Sequence, residues 1–201
     1  GTQEAFKAPQ NIRKQYSVME EETAEGNYYL TYNVSMGSSL DRELYAAMDI
    51  LDYVLCSAPG AAVKQALIDK GIGKDVYTTL ENGIGQPYFS IIAKNADEDQ
   101  LKEFVETIEE TLKEQVRKGL NKKALLAAIN YFEFKYREAD YGSYPRGLIL
   151  GLQALDSWLY DETKPFLHIE ANETYGKLNA SIDQGYIEGL IKTYLLENHH
   201  K

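Results

Sequence analysis

The spacing of apolar residues changes along this chain, and that change constrains the fold more than any other feature. From 28 to 35, apolar and polar residues alternate with a period of two, and the content of tyrosine, threonine and valine predicts a strand. After Asp41 the spacing becomes three and four residues, which predicts an amphipathic helix. The apolar stripe of that helix consists of Leu44, Met48, Leu51 and Leu55. Helices packed against a sheet satisfy both patterns.

The same two patterns assign the rest of the chain. They predict a second helix over 61–71, strands over 75–80 and 87–93 that form an antiparallel hairpin, and helices over 95–118, 122–140, 145–160 and 182–201. A short strand is expected over 16–19, followed by an acidic turn at 20–22, and a polar linker is expected from 161 to 181. Strands and helices are therefore segregated, which is typical of an α+β fold with a mostly antiparallel sheet. We expect a single domain over 1–201 with helices packed on one face of the sheet.

Charge and composition exclude several classes of function. The 201 residues carry a net charge of −10, which disfavours nucleic-acid partners because these bind mainly through lysine and arginine. No apolar run approaches the roughly 18–20 residues of a membrane span, so no membrane contact is expected. The lone Cys56 cannot form an intrachain disulfide and lies in an apolar helix, so we expect it to be buried, in a reducing and cytoplasmic setting.

The sequence offers no catalytic or metal-binding motif. The zinc-hydrolase patterns H-x-x-E-H and H-E-x-x-H are absent, and the histidines are His168, in a predicted loop, and the pair His199 and His200 at a predicted frayed end. We therefore expect no metal ligand and no catalytic residue in this chain. The glycine pairs at 71/73 and 83/85 precede strands rather than helices, which favours a helix stop and a hairpin turn over phosphate loops.

A long part of the chain resembles a known family. The runs LDYVLCSAPGAAVKQALIDKGIGKDV, QPYFSIIAKN and READYGSYPRGLILGLQALDSWLYD resemble the second domain of the insulinase-like inverted-motif zinc peptidases, in the presequence-protease and falcilysin branch. The resemblance extends from the strand at Tyr28 into the last helix and is most specific at GSYPRGL followed by WLYD. It implies an insulinase-like domain, similar to those of mitochondrial processing peptidases, that is not catalytic itself.

The resemblance also implies a larger parent protein. Members of that branch combine four homologous domains, of which the first holds zinc and the whole encloses unfolded peptides. We expect this chain to be an excised domain of such a bacterial enzyme, with zinc in the parent, no cofactor of its own, and other domains and unfolded peptides as partners. Two alternatives stay open. The parent is a scaffold of the same fold that has lost zinc and activity, or the chain is a free-standing peptide-binding module.

One block of residues is the candidate for substrate-chamber or interdomain contact. It comprises Ser143, Tyr144 and Arg146, between a turn glycine and the start of a predicted helix. A cation in the first turn of a helix opposes the helix dipole, so Arg146 is expected to be held by a carboxylate or by a neighbouring domain. The local alternative is that the turn and Tyr144 pack within the domain and Arg146 pairs nearby.

Overall fold

The computed structural model describes residues 3–19, 23, 25–139 and 141–201. Three strands form one antiparallel sheet in the order β1-β3-β2: β1 is Tyr28–Ser35, β2 is Asp75–Glu81 and β3 is Tyr88–Ala96. Val34 pairs with Phe89 of β3, which pairs with Leu80 of β2, and one irregularity interrupts β1 between Tyr28 and Leu30. The predicted hairpin over β2 and β3 is confirmed.

The described part of the chain also contains seven α-helices. They are α1 (Arg42–Asp52), α2 (Ala62–Asp69), α3 (Leu101–Lys118), α4 (Lys122–Glu138), α5 (Arg146–Trp158), α6 (Asn172–Ser181) and α7 (Tyr186–Leu190). A π-helical turn extends α1 over Tyr53–Ser57, and another extends α7 over Ile191–Leu196. The α+β fold class is confirmed.

The core lies between one face of the sheet and the helices. Alternate residues of β1 point into it, and Val34, Phe89 and Ile91 are almost fully buried. The opposite face carries exposed Thr31 and Lys94. Helix α3 contributes Phe104, Ile108 and Leu112, whose 3–4 spacing keeps all three on one side of the helix. The predicted packing of helices on one face follows from this alternation.

The solvent-exposed side of α3 carries two ion pairs between residues four positions apart. Glu109 pairs with Lys113 at 3.7 Å, and Glu114 pairs with Lys118. Exposed pairs of this kind contribute little to stability. Asp97 starts this region with a capping box, in which its side chain accepts from the backbone of Gln100.

The segment Arg42–Asp69 qualifies the expectation that no run is apolar enough to cross a membrane. It has 28 residues, and an 18-residue window within it has a mean hydropathy of 1.3, so length and composition alone would permit a span. Pro59 and Gly60 interrupt the helix between α1 and α2, and 56% of the apolar window is buried within the domain. Cys56 lies in this segment and is buried, as predicted. These features are typical of the core helices of a globular domain, and the absence of a membrane partner stays a prediction.

Two other expectations about local structure are wrong. Residues 16–19 form no strand, since they are exposed and Tyr16 instead packs edge-on against Tyr29 with ring centres 5.4 Å apart. The acidic turn predicted at 20–22 lies outside the described residues. The predicted linker contains helix α6, which buries Thr174, Tyr175 and Leu178. Gly176 in its middle and its weak apolar stripe concealed this helix.

Candidate functional site

The predicted contact residues lie on the surface, in the turn that leads into α5. Ser143, Tyr144 and Arg146 are all exposed, Tyr144 to 65%. The Tyr144 amide donates to the carbonyl of Tyr141 at 3.2 Å, which closes the turn, and Pro145 precedes the first residue of the helix as expected. No ion pair holds Arg146 within the described residues, and the carboxylate predicted to hold it is not found among them. The role of these residues in contacts stays a prediction.

Helix α5 and its flanking turns, residues 141–166, form what we term the arm. On its outer side four leucines recur at spacings of four, three and four residues, and we term them the α5 stripe. They are exposed to 38–68%: Leu148, Leu152, Leu155 and Leu159. Of the helix itself only Ser157 is fully buried. Such a stripe is the pattern of a helix that packs on a neighbour.

The arm is attached to the rest of the domain by a few contacts. The Tyr45 hydroxyl donates to Asp156 Oδ2 at 2.8 Å, linking α1 to α5. The loop between β2 and β3 also touches the arm, because a Cβ at Gly83 would lie 2.5 Å from Asp156 Oδ1 and one at Gly85 would lie 2.9 Å from the Tyr160 ring. The hairpin glycines were predicted only as turn residues. They also leave room for the arm.

Burial at this contact shifts the pKa values of both partners. Desolvation raises the pKa of the Tyr45 hydroxyl well above its usual range, and the Asp156 charge adds to that rise. Desolvation also raises the pKa of Asp156, although the hydrogen bond from Tyr45 opposes the shift. The bond is therefore formed by a phenol that stays protonated at neutral pH and a carboxylate that is only half buried.

A groove of about 730 Å³ separates the arm from α1, α4 and α6. Its walls are mainly aromatic, including Tyr45, Phe132, Tyr136, Tyr141, Tyr144 and Tyr175. Its volume is in the range of small-molecule and peptide-residue sites. Tyr144 thus belongs both to the predicted contact block and to the rim of this groove.

Asp49 of α1 lines the groove without an ion pair or a side-chain hydrogen bond within the described residues. Burial, with a smaller contribution from the charge of Asp52, raises the pKa of Asp49 to about 7, and Lys135 partly opposes the rise. A substantial fraction of this carboxyl is therefore protonated at neutral pH. The sequence concealed the group, because an acid within an amphipathic helix is expected to face water.

His168 is buried rather than placed in an open loop. Its ring stacks on Tyr45 with centres 3.7 Å apart, and it is 5% exposed. Desolvation lowers the pKa of His168 to about 4, against an opposing contribution from the backbone of Ser39, so the ring is neutral at pH 7. His200 at the end of the chain is also held, since Ser35 N donates to His200 O at 3.0 Å and the His200 ring packs on Phe6. The predicted frayed end is wrong.

The described residues do not fit a metal site. Across 3–19, 23, 25–139 and 141–201, no three His, Cys, Asp or Glu side chains come together in a way that would hold an ion.

The family model of the peptidase M16 inactive domain matches residues 2–132, which is more than half of the chain. The chain belongs to this family. Its resemblance to the presequence-protease branch is confirmed by 28% identity over 205 residues to presequence protease 1 of Arabidopsis thaliana, covering 99% of this chain and 19% of that protein. Protein HypA of Clostridium perfringens is 37% identical over 198 residues, covering 98% of this chain and 20% of that protein.

Solved structures show the same fold. A candidate zinc protease from Bordetella pertussis superimposes with a TM-score of 0.64 at 14% identity, covering 86% of this chain and 90% of that one. The M16 inactive domain from Pseudomonas fluorescens superimposes with a TM-score of 0.56 at 12% identity, covering 85% of this chain and 39% of that one. The chain spans about a fifth of the length of its curated relatives. It is a non-catalytic domain of the M16 peptidase family.

Proposed function

We propose that this M16 domain belongs to a longer zinc-dependent metalloendopeptidase that degrades unstructured peptides. In that enzyme it forms part of the wall of the substrate chamber and packs on the catalytic domain. The exposed α5 stripe is the observation that carries the proposal. The same assignment gives Ser143, Tyr144 and Arg146 a role at the edge of the interdomain contact, with the peptide in the chamber.

The energetics of the stripe favour a covered state. Covering a half-exposed leucine contributes about 1 kcal/mol at roughly 25 cal/mol per Å² of apolar surface, so four leucines give a substantial driving force. The relatives are several times longer than this chain, which supports further domains of the same polypeptide as the occupant. Arg146 at the start of α5, for which the described residues supply no ion pair, offers a cation for a carboxylate of that neighbour.

Zinc and the reactive water are assigned to another domain of the parent, since the described residues here supply no ligand set. The net charge of −10 supports selection of basic, unfolded peptides through the summed field of the chamber wall, and it disfavours nucleic acid. The rate of peptide cleavage by the parent should then fall as the salt concentration rises. A rate that does not change with salt contradicts selection of basic peptides by charge. The lone buried thiol of Cys56 supports a cytoplasmic location.

The docking role is tested in the full-length parent with Leu152→Glu in the stripe. The matched control is Ile68→Glu on α2, because both side chains are 50% exposed. We expect Leu152→Glu to lower peptide cleavage at least tenfold and to speed proteolysis between the domains, while Ile68→Glu leaves both unchanged. Equal effects of the two variants would contradict the proposed docking surface.

Zinc content separates the proposal from its alternative. A parent that holds zinc and cleaves, while this domain alone does neither, supports the metallopeptidase. A parent that contains no zinc and cleaves nothing, yet is still loosened by Leu152→Glu, supports the scaffold of the same fold. Tight zinc binding or cleavage by this domain alone contradicts both.

A further inference from the structure

Arg42 is a cation whose position local structure does not explain. It is the first residue of α1, where a positive charge opposes the helix dipole. Two neighbouring acids are engaged elsewhere, since Asp41 accepts from Leu44 N at 3.0 Å and Glu43 pairs with Lys177 at 3.1 Å. Glu173 lines a second cavity with Arg42 and forms no ion pair with it among the described residues. Arg42 itself is only partly exposed, and its enclosed Nε has no hydrogen-bond partner within the described residues. Such a guanidinium lacks an acceptor.

The groove that Arg42 lines carries a local charge opposite to that of the protein. Lys135 of α4 also lines it, and no ion pair engages Lys135 in the described part of the chain. Asp49 is the acid of the lining, and its charge is reduced by protonation at neutral pH. In a domain with a net charge of −10, the described residues that line this groove include two cations and one partly neutralised carboxyl. The charge pattern suits an anionic group.

The aromatic walls of the groove favour a ligand that carries an aromatic group next to its anionic group. Tyr45 lies one helical turn from Arg42 on α1, and Lys135 and Tyr136 both belong to α4. All four residues line the same groove. Rings offer stacking surface to another aromatic side chain, and arginine forms charge-assisted bonds with a carboxylate. A volume of about 730 Å³ admits two or three residues of an extended peptide.

We propose that the groove between the arm and helices α1 and α4 binds an unfolded peptide segment in which an acidic side chain lies next to an aromatic one. The acidic carboxylate pairs with the Arg42 guanidinium and lies within the field of Lys135. The aromatic side chain packs among the tyrosines of the wall. This site lies on the chain itself and does not depend on zinc or activity in a parent enzyme.

When Asp49 is ionised, its carboxylate repels the acidic side chain of the proposed peptide ligand. The charged and titratable groups around it come from several elements: Arg42, Tyr45 and Asp52 from the α1 region, Lys135 and Tyr136 from α4, Tyr141, His168, and Tyr175 from α6. Tyr45, Tyr175 and His168 are neutral near pH 7, whereas Asp49 changes its charge there. Asp49→Asn is therefore expected to strengthen binding two- to threefold at pH 8 and to leave it unchanged at pH 5.5.

The test measures binding of labelled peptides to the whole 201-residue chain by fluorescence anisotropy. Three acetylated and amidated probes are compared: one with a glutamate beside a phenylalanine, one with lysine in place of the glutamate, and one with alanine in place of the phenylalanine. The first probe should bind at least tenfold more tightly than each of the others. Arg42→Gln should weaken its binding about tenfold and Lys135→Gln about threefold, at low salt.

Two controls separate a site from general electrostatics. Arg117→Gln on α3 removes an exposed arginine outside the groove, and Lys123→Gln removes an exposed lysine of α4 at the opposite end from Lys135. Both should leave binding unchanged. Equal binding of the glutamate and lysine probes, or equal weakening by Arg42→Gln and Arg117→Gln, overturns the proposal. These outcomes do not involve cleavage by a parent, so they are distinct from a failure of the proposed function.

Discussion

The body of the domain and its arm bury their apolar residues to very different degrees. In the body, which comprises the sheet with α1–α4, α6 and α7, the apolar faces of strands and helices close on one another, and Phe104 is 0% exposed. In the arm, the leucines of the α5 stripe stay largely open although their spacing is just as regular. Regular amphipathic spacing therefore identifies a face that packs. It does not identify whether the packing partner belongs to the same domain.

The largest expected effect is on the free energy of unfolding, which a substitution in the body should lower much more than one in the arm. Phe104→Ala should lower the free energy of unfolding by about 3–5 kcal/mol, because it leaves a cavity in the closed core. Leu155→Ala in the stripe should cost less than about 1 kcal/mol, because its side chain is already 38% exposed. Urea unfolding followed by circular dichroism measures both. A comparable loss from the two variants would contradict the distinction between body and arm.

The ionisation of Asp49, on the body side of the groove, should have an intermediate effect on the free energy of unfolding. The unfolded chain ionises Asp49 near pH 4, whereas the folded domain does so at about 7. Stability at this site is therefore highest where both states are protonated, falls as pH rises from about 4 to about 7, and stays constant above. Asp49→Asn removes that loss. Because the carboxyl is partly exposed, we expect a gain of about 1–2 kcal/mol at pH 8.

Unfolding of the wild type and of Asp49→Asn at pH 4.5 and pH 8 checks this prediction. The variant should be more stable at pH 8 and nearly equal at pH 4.5. If the difference in stability between the two proteins is the same at pH 4.5 and pH 8, Asp49 ionises with an ordinary pKa. The groove around it would then be open to solvent. Asp69→Asn on the exposed end of α2 serves as the control, since Asp69 contacts the side chain of Gln65 but no groove residue.

The elements of the body were predictable to the extent that their apolar pattern is local. The strand at 28–35 has a strict period of two and occurs where the pattern predicts it. Helix α3 has the predicted apolar stripe, but it begins at Leu101 rather than at 95, because β3 continues to Ala96. Helix α6 was not predictable in this way, because Gly176 in its middle lowers its helix propensity and its buried residues include Thr174. Its helical state depends on packing against α1 and α4.

The candidate site was predictable only in part. The turn before α5 attracts attention through Pro145 and Arg146, and Tyr144 does lie at the groove rim. The groove itself combines Asp49 with Lys135, which are far apart in the sequence and carry no motif. Their meeting depends on how α1 packs against α4, and on the hairpin glycines that admit the arm. Periodicity does not encode such long-range contacts.

The smallest expected effect concerns the attachment between the two regions. Tyr45→Phe removes the hydroxyl that donates to Asp156 Oδ2 at 2.8 Å and keeps the ring that stacks on His168. We expect a loss of about 1 kcal/mol, the net contribution of such a bond at a partly exposed site. The pKa of Asp156 should rise further, because the hydrogen bond that lowers it is gone.

Amide hydrogen exchange locates this loss in the molecule. If the arm is an appendage held by a few contacts, Tyr45→Phe should speed exchange in α5 several-fold and leave α3 unchanged, because local opening of the arm does not require opening of the core. Tyr77→Phe on the outer side of β2, where the ring is exposed, should leave both helices unchanged. Faster exchange throughout α3 and α5 together would show that the arm and the body open as one cooperative unit, and the exposed stripe would then belong to a single folding unit with the core.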